Sequence, residues 1–400
     1  MVTPSVQPPV RHLYVHVPFC SHKCEYCAFY SATPSGDQVA RYVDALVHEM
    51  ALVAPRCRPD TVFFGGGTPS LLSIHHWETV LEAMRRNGLL GAAEFTVECN
   101  PATVSADKAR LLRSAGVNRI SMGVQSLDVR LLERLGRVHS REQVFQSIDT
   151  LRAAGFDNLS IDLMFAIPGQ DMAMWDATLD EALALGTEHL SCYEVIYEDD
   201  TPLFEQLKAG EFDVDEELAC AQYERLVERA HASGFRQYEV ANFGRDARPN
   251  TPIPVPLPNI PAFACRHNVA YWRGLDFFGL GPSASEYVDG VRSRNRASTV
   301  LYTEQALRGH RAKDFAETLP PLARAGELAA FGLRMNAGWP FAAFRERTGF
   351  DLRNEWAGDL EQLSRQGWAE VLPDRFRLTP QGLRFADAVA RHMLRTSPTS

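Results

Sequence analysis

Six short β-rich runs alternate with amphipathic helical patterns between residues 12 and 195, and this alternation constrains the fold more than any other feature. Six successive βα units predict a parallel sheet with its helices outside. The spacing favours a partial parallel (β/α)6 barrel, and an open doubly wound sheet is the alternative. The runs are HLYVHV (12–17), TVFF (61–64), EFTVE (94–98), NRISMG (118–123), NLSIDLMF (158–165) and HLSCYEV (189–195). The segments 37–53, 73–87, 105–116, 141–155 and 172–186 repeat apolar residues at three- and four-residue steps.

The alternation weakens after residue 195. The stretch RPNTPIPVPLPNIPAF (248–263) is too rich in proline for a helix or central strand, and it is typical of an exposed loop. Past residue 300 the pattern indicates helices followed by GWAEVLPDRFRLTPQG, a strand–turn–strand segment typical of a winged-helix wing. We therefore expect an N-terminal tail at 1–11, the barrel with its extension at 12–295, and a mostly helical, winged-helix-like C-terminal domain at 300–395.

Composition restricts the class of protein. The net charge of −9 over 400 residues argues against a nucleic-acid partner, because a duplex-binding surface needs clustered Lys and Arg. The sequence shows neither a long apolar run typical of a transmembrane helix nor a secretory signal, although peripheral contact with a membrane stays possible. Eight cysteines in this length are too few for a disulfide scaffold, which favours a cytoplasmic protein with reduced thiols. Of these, Cys57, Cys99, Cys192 and Cys220 are expected to be small buried residues.

Three further cysteines lie within eight positions directly after the first predicted strand. Cys20, Cys24 and Cys27 have no fourth thiol nearby. A structural zinc site usually takes four protein ligands, which His16 or His22 could complete. Three thiolates on a [4Fe–4S] cluster would instead leave one iron open to a substrate or cofactor. The cluster is the favoured interpretation, and zinc is the alternative.

Polar residues and glycines stand at the carboxyl ends of the next predicted strands. The second strand runs into GGGTPS, the third ends at Glu98, the fourth ends near Gln125, and the fifth carries Asp162. In a parallel βα barrel the active site lies at this end. Three glycines after a strand can also be only a tight turn, and one buried carboxylate can be a satisfied core residue. Their recurrence at one end of the sheet predicts a single cavity that they surround.

These motifs carry a family resemblance. The spacing Cys-x3-Cys-x2-Cys after the first strand resembles the radical S-adenosylmethionine (radical SAM) superfamily. Six stretches resemble, within it, the oxygen-independent coproporphyrinogen III oxidase group, over residues 12 to about 390. They are HVPFCSHKCEYCAFYS, FFGGGTPSLL, VECNPATV, GVNRISMGVQSLDVRLLERLGRVHS, LSIDLMFAIPGQ and CRHNVAYWRGLDFFGLGPSA.

Two positions separate the branches of that group. The porphyrinogen-oxidising branch has a further cysteine two residues after the triad, where this chain has Phe29. The haem-chaperone branch, of the HemW type, carries Cys-Arg-His-Asn-x-x-Tyr-Trp, which this chain has at residues 265–272. The chain therefore resembles the haem-chaperone branch more closely.

The resemblance implies cofactors and site residues. It implies a [4Fe–4S] cluster on the three neighbouring cysteines and S-adenosylmethionine on its open iron. His267 would bind haem iron and the aromatic Tyr271 and Trp272 would pack on the macrocycle, with a satisfied core histidine as the alternative. For S-adenosylmethionine the implied contacts are Tyr14 and Tyr26 for the nucleoside, Gly66, Gly67 and Thr68 for the methionine moiety, and Glu98, Gln125, Arg137 and Asp162 for the rest of the pocket.

The function implied by the resemblance is that of a haem chaperone, which binds haem as cargo and delivers it to haem-requiring proteins. The first alternative is an oxygen-independent dehydrogenase that converts coproporphyrinogen III to protoporphyrinogen IX. The second is a radical enzyme with an unrelated substrate. The implied partners are haem, haem-accepting proteins and a small electron donor of the flavodoxin or ferredoxin type.

Overall fold

A computed structural model describes residues 7–247 and 260–395. Most of the proline-rich stretch 248–263, and with it the expectation of an exposed loop there, lies outside the described residues. In the part of the chain that the structure describes, no helix is long and apolar enough to cross a membrane.

The secondary structure follows the predicted alternation up to residue 195 and then continues through segments without a clear sequence pattern. The strands in chain order are β1 Val10–Val17, β2 Cys57–Gly66, β3 Glu94–Cys99, β4 Arg119–Gln125, β5 Leu159–Phe165, β6 His189–Glu194, β7 Arg236–Gln237, β8 Asn242–Gly244, β9 Phe277–Leu280, β10 Ser285–Val288, β11 Val291–Asn295, β12 Lys313–Thr318, β13 Trp339–Pro340, β14 Ala369–Val371 and β15 Arg375–Leu378. The helices are α1 Gln38–Val53, α2 Ile74–Arg86, α3 Ala106–Ser114, α4 Val129–Arg134, α5 Arg141–Ala153, α6 Met172–Ala184, α7 Pro202–Lys208, α8 Glu216–Ala232, α9 Arg266–Trp272, α10 Thr299–Leu307, α11 Pro321–Leu333, α12 Phe341–Thr348, α13 Leu352–Glu355, α14 Ala357–Arg365, α15 Pro380–Arg384 and α16 Ala386–Met393.

Two compact units make up the chain. Unit 1 comprises Met1–Ser233 and Asp276–Ala316, and unit 2 comprises Gly234–Leu275 and Glu317–Ser400. The division into compact units differs from the predicted boundary near residue 295. The reason is that α9 lies before that boundary in the sequence but packs on α11, which lies after it. Each compact unit combines two separate stretches of sequence, whereas the predicted domains are single stretches. The predicted domain limits therefore stay a prediction.

The sheet of unit 1 is wound in one direction. Its six parallel strands stand side by side in chain order, from β1 to β6. A doubly wound sheet reverses its strand order at a switch point, and this sheet has no reversal. Right-handed crossovers between consecutive neighbours carry all the helices to the same face. The outer neighbour of β1 is β9 rather than β6, so the sheet stays open. This topology confirms the partial (β/α)6 barrel and makes the doubly wound alternative wrong.

Local caps explain why the helices begin and end where they do. The side chains of Ser73, Ser105 and Asp171 accept backbone N–H groups in the first turns of α2, α3 and α6. Ser140 and Gln143 form a capping box at the start of α5. After each of these helices the chain turns at a glycine with positive φ, at positions 88, 116, 155 and 186. These residues return the chain to the next strand.

A buried carboxylate fastens α1 to the extension that follows β9. Glu49 has no exposed surface. Its two oxygens accept hydrogen bonds from Gly281 N (2.9 Å), Asn295 Nδ2 (2.9 Å), Tyr302 Oη (2.7 Å) and Arg311 Nε (3.2 Å). Because a buried charge is tolerated only when it is paired and fully hydrogen-bonded, this network makes the extension an integral part of unit 1.

Unit 2 is mostly helical and contains the predicted hairpin. The strands β14 and β15 pair in antiparallel fashion, and β13 joins them on the other side of β15. A cluster that includes Trp339, Phe344 and Trp356 forms its core. The sheet and helices confirm the mostly helical, winged-helix-like C-terminal region.

The cysteines outside the triad follow the expectation with one exception. Cys57, Cys99 and Cys192 are buried, and all eight cysteines are free thiols. The expectation was wrong for Cys220, which is exposed. It lies on the solvent side of α8, whose buried side is formed by Ala219, Gln222, Leu226 and Ala230.

Replacing Glu49 by Gln should destabilise the protein by about 3 kcal/mol, because Arg311 would lose one of its two charged partners inside the protein. Thermal and urea unfolding of purified protein measure the change. The matched control is Glu82→Gln, which removes an exposed ion pair with Arg85 and should leave the transition unchanged. Equal loss in both variants would mean that the buried network contributes no more than a surface pair.

Candidate functional site

The loop between β1 and α1 carries the three neighbouring cysteines, all partly exposed. Cys20 N donates to Ala32 O (3.2 Å), which closes the loop on itself, and Thr68 N, just after the end of β2, donates to Phe19 O (2.7 Å). Thr68 Oγ1 lies 3.5 Å from Cys20 Sγ. Such donors stabilise the thiolate, which is the form that binds metals.

One of the two histidines that could complete a zinc site has both ring nitrogens engaged elsewhere. His16, one of the two possible fourth ligands, is buried and uses Nε2 on Tyr30 O (2.8 Å) and Nδ1 on Tyr14 Oη (3.1 Å). Among residues 7–247 and 260–395, no three His, Cys, Asp or Glu side chains are placed to hold one metal ion. A zinc ion needs every sulfur at about 2.3 Å from one point. A cluster takes each thiolate on a different iron, so its sulfurs stand farther apart.

The strand register brings two acidic side chains to the same end of the sheet. Glu98 stands beside Ser121 across β3 and β4, and Gly123 stands beside Asp162 across β4 and β5. Ser121 Oγ donates to Asp162 Oδ1 (3.2 Å), and Gly66 N donates to Glu98 Oε2 (3.2 Å). The predicted recurrence of polar residues at one end of the sheet therefore brings two acidic groups close together there, and the predicted cavity between them stays a prediction.

Both acidic groups hold their protons more tightly than usual. Burial, together with the charge of Asp162, raises the pKa of Glu98 to about 8. Burial also raises the pKa of Asp162, although hydrogen bonds from Ser191 and Ser121 oppose the shift. Two neighbouring desolvated carboxyl groups favour a bound cation. S-adenosylmethionine, with its sulfonium and ammonium groups, supplies that type of ligand.

An arginine lies between this acidic pair and the cysteine loop. Arg137 Nη2 donates to Gly123 O (2.6 Å), and Nη1 lies 3.5 Å from Cys24 Sγ. Its buried Nε has no hydrogen-bond partner in the described part of the chain. An unmet guanidinium N–H beside the cysteines suits a ligand carboxylate. These residues fit a cluster that would supply an electron and an open iron, with S-adenosylmethionine held beside it.

The remaining predicted residues border the same region. Tyr26 packs against the apolar cluster around Leu131 and Met164, and burial raises its pKa. Burial and the nearby Glu98 raise the pKa of Tyr14. Gln125 ends β4 with φ of +65°, so the chain turns there at the carboxyl end of the strand.

Gly66 and Gly67 have packing reasons of their own. A Cβ on Gly66, which has φ of +103°, would lie 2.5 Å from the His16 ring. A Cβ on Gly67 would lie 2.7 Å from Phe19 O and 2.8 Å from Val17 O. The glycines therefore let the loop after β2 close onto the end of β1, as the tight-turn interpretation expects. Their contact with the methionine moiety stays a prediction.

His267 lies in unit 2, on the short helix α9. It is buried, with 1% of its surface exposed, and its Nε2 lies 2.7 Å from Tyr271 Oη. Trp272 meets Phe331 edge-on at 6.3 Å and carries the Arg334 guanidinium over its ring at 5.3 Å. In this structure His267 is a hydrogen-bonded histidine of the interior, so binding to iron through Nε2 requires the Tyr271 contact to change.

The sequence-based reasoning missed the hydroxyl groups that position Asp162. Ser121 and Ser191 lie on the strands that flank β5, and Asp162 pairs in register with Ser191. The two-residue period of a strand places Ser121 on the same face of β4 as Arg119 and Gly123. This alternation could have identified Ser121 as a residue that faces the site. The missing information was which strands would be neighbours.

Comparisons with known proteins agree with this geometry. A family model described as the radical SAM superfamily matches residues 14–182, and one described as the HemN C-terminal domain matches residues 319–385. The solved structure described as coproporphyrinogen III oxidase (HemN) from Escherichia coli superposes with a TM-score of 0.81. It is 21% identical and covers 97% of this chain and 91% of its own, which establishes a shared fold. Fold and site together define a radical SAM protein.

Curated relatives narrow the class. A protein of Bacillus subtilis named "Heme chaperone HemW" is 33% identical over 93% of this chain and 96% of its own length. A protein of the same name from Lactococcus lactis is 31% identical over 95% of this chain and 96% of its own. The chain belongs to the HemW family.

Anaerobic reconstitution should give about four irons and four sulfides per chain. Serine at any one of Cys20, Cys24 and Cys27 should abolish the cluster, because hard hydroxyl oxygen is a poor ligand for it. Iron and sulfide assays with visible spectra measure the content. Cys220→Ser, which removes an exposed thiol on α8, should retain the full cluster. Stoichiometric zinc without iron would contradict the assignment.

The raised pKa of Glu98 predicts a pH dependence of stability in the protein without cofactors. Between the ordinary pKa of 4.5 and about 8, the native carboxyl keeps a proton that the unfolded chain has lost. The free energy of unfolding should therefore fall as pH rises through this window. Urea unfolding at several pH values should show a shallower fall for Glu98→Gln. The control Glu82→Gln should keep the wild-type slope, because Arg85 lowers the pKa of Glu82. Identical slopes in all three proteins would refute the prediction.

Proposed function

We propose that this protein binds haem and delivers it to haem-requiring proteins while holding a [4Fe–4S] cluster and S-adenosylmethionine in unit 1. The observation that carries the proposal is the similarity, over nearly the whole chain, to relatives named as haem chaperones. The cluster would lie on Cys20, Cys24 and Cys27. S-adenosylmethionine would lie on the contacts named above, at the ends of β1 to β5.

The environment of the third cysteine supports this proposal over porphyrinogen oxidation. Phe29, two residues after Cys27, is 69% exposed. The dehydrogenase branch has a thiol at this position, so the present chain offers apolar surface instead. An exposed aromatic side chain beside the cluster loop suits contact with a flat apolar molecule or a partner protein better than chemistry on a propionate chain.

The haem site is proposed on α9. A neutral imidazole is a common ligand of haem iron, and His267 is the histidine of the family motif. Its Nε2 would have to exchange the Tyr271 hydroxyl for iron. The Tyr271 hydroxyl would thus hold the His267 side chain in the absence of haem and give up its hydrogen bond when haem binds.

Other parts of the function follow from the resemblance and from composition. We propose the cytoplasm as the site of action, a flavodoxin- or ferredoxin-type protein as the electron donor, and no nucleic-acid partner. The identity of the haem acceptor is a matter for capture experiments with the haem-loaded protein.

Haem titration of reconstituted protein tests the ligand. His267→Ala should weaken haem binding at least about ten-fold and change the Soret spectrum, because the iron loses a strong-field ligand. Tyr271→Phe is the matched variant: it removes the competing hydroxyl, so haem affinity should stay equal or rise. Loss of affinity in both variants with an unchanged Soret band would show that the pair is structural.

An assay on the same reconstituted protein distinguishes a haem chaperone from a coproporphyrinogen III dehydrogenase. Incubation under anaerobic conditions with coproporphyrinogen III, S-adenosylmethionine and a reductant should yield no protoporphyrinogen IX. Cluster-dependent formation of that product would move the protein to the dehydrogenase class, whatever its affinity for haem.

A further inference from the structure

We propose that His16 is a positioning residue, which fixes the cysteine loop relative to the strand that faces S-adenosylmethionine. The inference rests on the cluster and S-adenosylmethionine part of the proposed function and is independent of haem binding. His16 lies near the carboxyl end of β1, four residues before Cys20, and only 5% of it is exposed. Its imidazole joins three segments, which are β1 itself, the glycine loop after β2, and the segment that closes the cysteine loop.

The hydrogen bonds determine the form of the ring. Nε2 lies 2.8 Å from the carbonyl oxygen of Tyr30. A carbonyl can only accept, so Nε2 carries the proton. Nδ1 is then the acceptor for the Tyr14 hydroxyl at 3.1 Å. Burial lowers the pKa of His16, in keeping with this neutral form. One ring thus holds Tyr14 through one nitrogen and Tyr30 through the other.

The glycine loop holds the ring from a third side. A side chain at Gly66 would lie 2.5 Å from both Cε1 and Nδ1 of His16. The imidazole therefore occupies the space that the missing Cβ leaves. The same glycine donates its N–H to Glu98 Oε2 at 3.2 Å, so a shift of the ring would displace the loop that orients this carboxyl group.

The groups on either side of His16 are themselves fixed. The Tyr42 hydroxyl of α1 donates to His16 O at 2.8 Å. On the opposite side, a Cβ on Gly281 would lie 2.2 Å from the same oxygen. Tyr30 is held at its far end, where its hydroxyl lies 3.1 Å from Thr299 Oγ1 and accepts Thr299 N–H at 2.7 Å. Neither end can follow a displaced ring, so the position of His16 sets the distance between them.

Two consequences distinguish this role from ordinary core packing. Loss of the Nδ1 acceptor should remove the hydrogen bond between His16 and the Tyr14 hydroxyl, and should thereby weaken binding of S-adenosylmethionine without removing the cluster. Loss of the Nε2 donor should release the closing segment, three residues after Cys27, and make the cluster more sensitive to air. A histidine that served only as core volume would lower stability and leave both properties unchanged.

The experiment uses the full chain, reconstituted under anaerobic conditions, with three readouts: affinity for S-adenosylmethionine, its effect on the EPR spectrum of the reduced cluster, and the rate of cluster loss in air. His16→Gln can place an amide N–H at the position of Nε2, where it reaches Tyr30 O, but it has no acceptor atom at the position of Nδ1, where the Tyr14 hydroxyl donates. It should bind S-adenosylmethionine about five-fold more weakly, the range expected for one buried neutral hydrogen bond, with normal cluster content. His16→Ala should also lose its cluster several-fold faster in air, and the Gln variant should restore the normal rate.

A double-mutant cycle identifies the route. Tyr14→Phe removes the other half of the same bond, so its effect on affinity should nearly vanish in the His16→Gln background. The matched control is His12→Gln, since His12 is a buried histidine on the same face of β1, with Nδ1 2.9 Å from Thr61 Oγ1. It should lower the melting temperature and change none of the three readouts.

Two results would overturn the proposal. In the first, His16→Gln and His16→Ala give the same three readouts as His12→Gln. In the second, the losses of affinity caused by the Tyr14 and His16 substitutions multiply in the double variant. A wild-type protein that takes up neither cluster nor S-adenosylmethionine would defeat the proposed function together with this inference. A wild-type protein that takes up both and no haem would defeat only the chaperone proposal.

Discussion

The pairing of β1 with β2 on one side and β9 on the other is the constraint on which unit 1 depends. Both pairings are parallel, and they fix β1 along the residues from His12 to Val15. The cysteine loop leaves the end of this strand, and the glycine loop leaves the end of its neighbour. Because parallel strands bring their carboxyl ends to the same edge of the sheet, the pairing of β1 with β2 is enough to bring the two loops together. The extension that supplies β9 is therefore part of the site, although it contributes no predicted ligand.

A second principle is the cost of desolvated charge. Glu98 and Asp162 stand close together, and burial raises the pKa of both. A stable interior would avoid such a pair or neutralise it with a nearby lysine or arginine. Here Ser121 and a backbone N–H donate to the oxygens, and the nearby Arg119 opposes the rise of both pKa values without cancelling it. A site that is unfavourable when empty and favourable when a cation binds is the behaviour expected of a binding pocket.

Much of this could be predicted from the sequence, because the signals are local. Helix caps, two- and three-to-four-residue periods and the cysteine spacing all act within a few residues, and they identified the six strands, the five helices and the three cysteines. The rest depends on pairs that are distant in sequence. Glu49 meets Arg311, and Tyr30 meets Thr299, only because the fold returns the chain to β1. The exposure of Cys220 depends on which side of α8 packs, and the partner of His267 on the conformation of one helical turn.

The discontinuity of unit 1 has a consequence for the order of events during synthesis. The N-terminal stretch of unit 1 contains the cysteine loop, whereas Thr299 and Arg311, which contact Tyr30 and Glu49, belong to its second stretch. A nascent chain that has emerged only as far as Ser233 therefore presents three thiols on a loop whose closing segment, at Tyr30, still lacks its contact with Thr299. The ribosome must release nearly 80 more residues, and the first stretch of unit 2 among them, before these contacts can form. The closing segment of the cysteine loop and the Glu49 network thus reach their final contacts only after Thr299 and Arg311 have been synthesised.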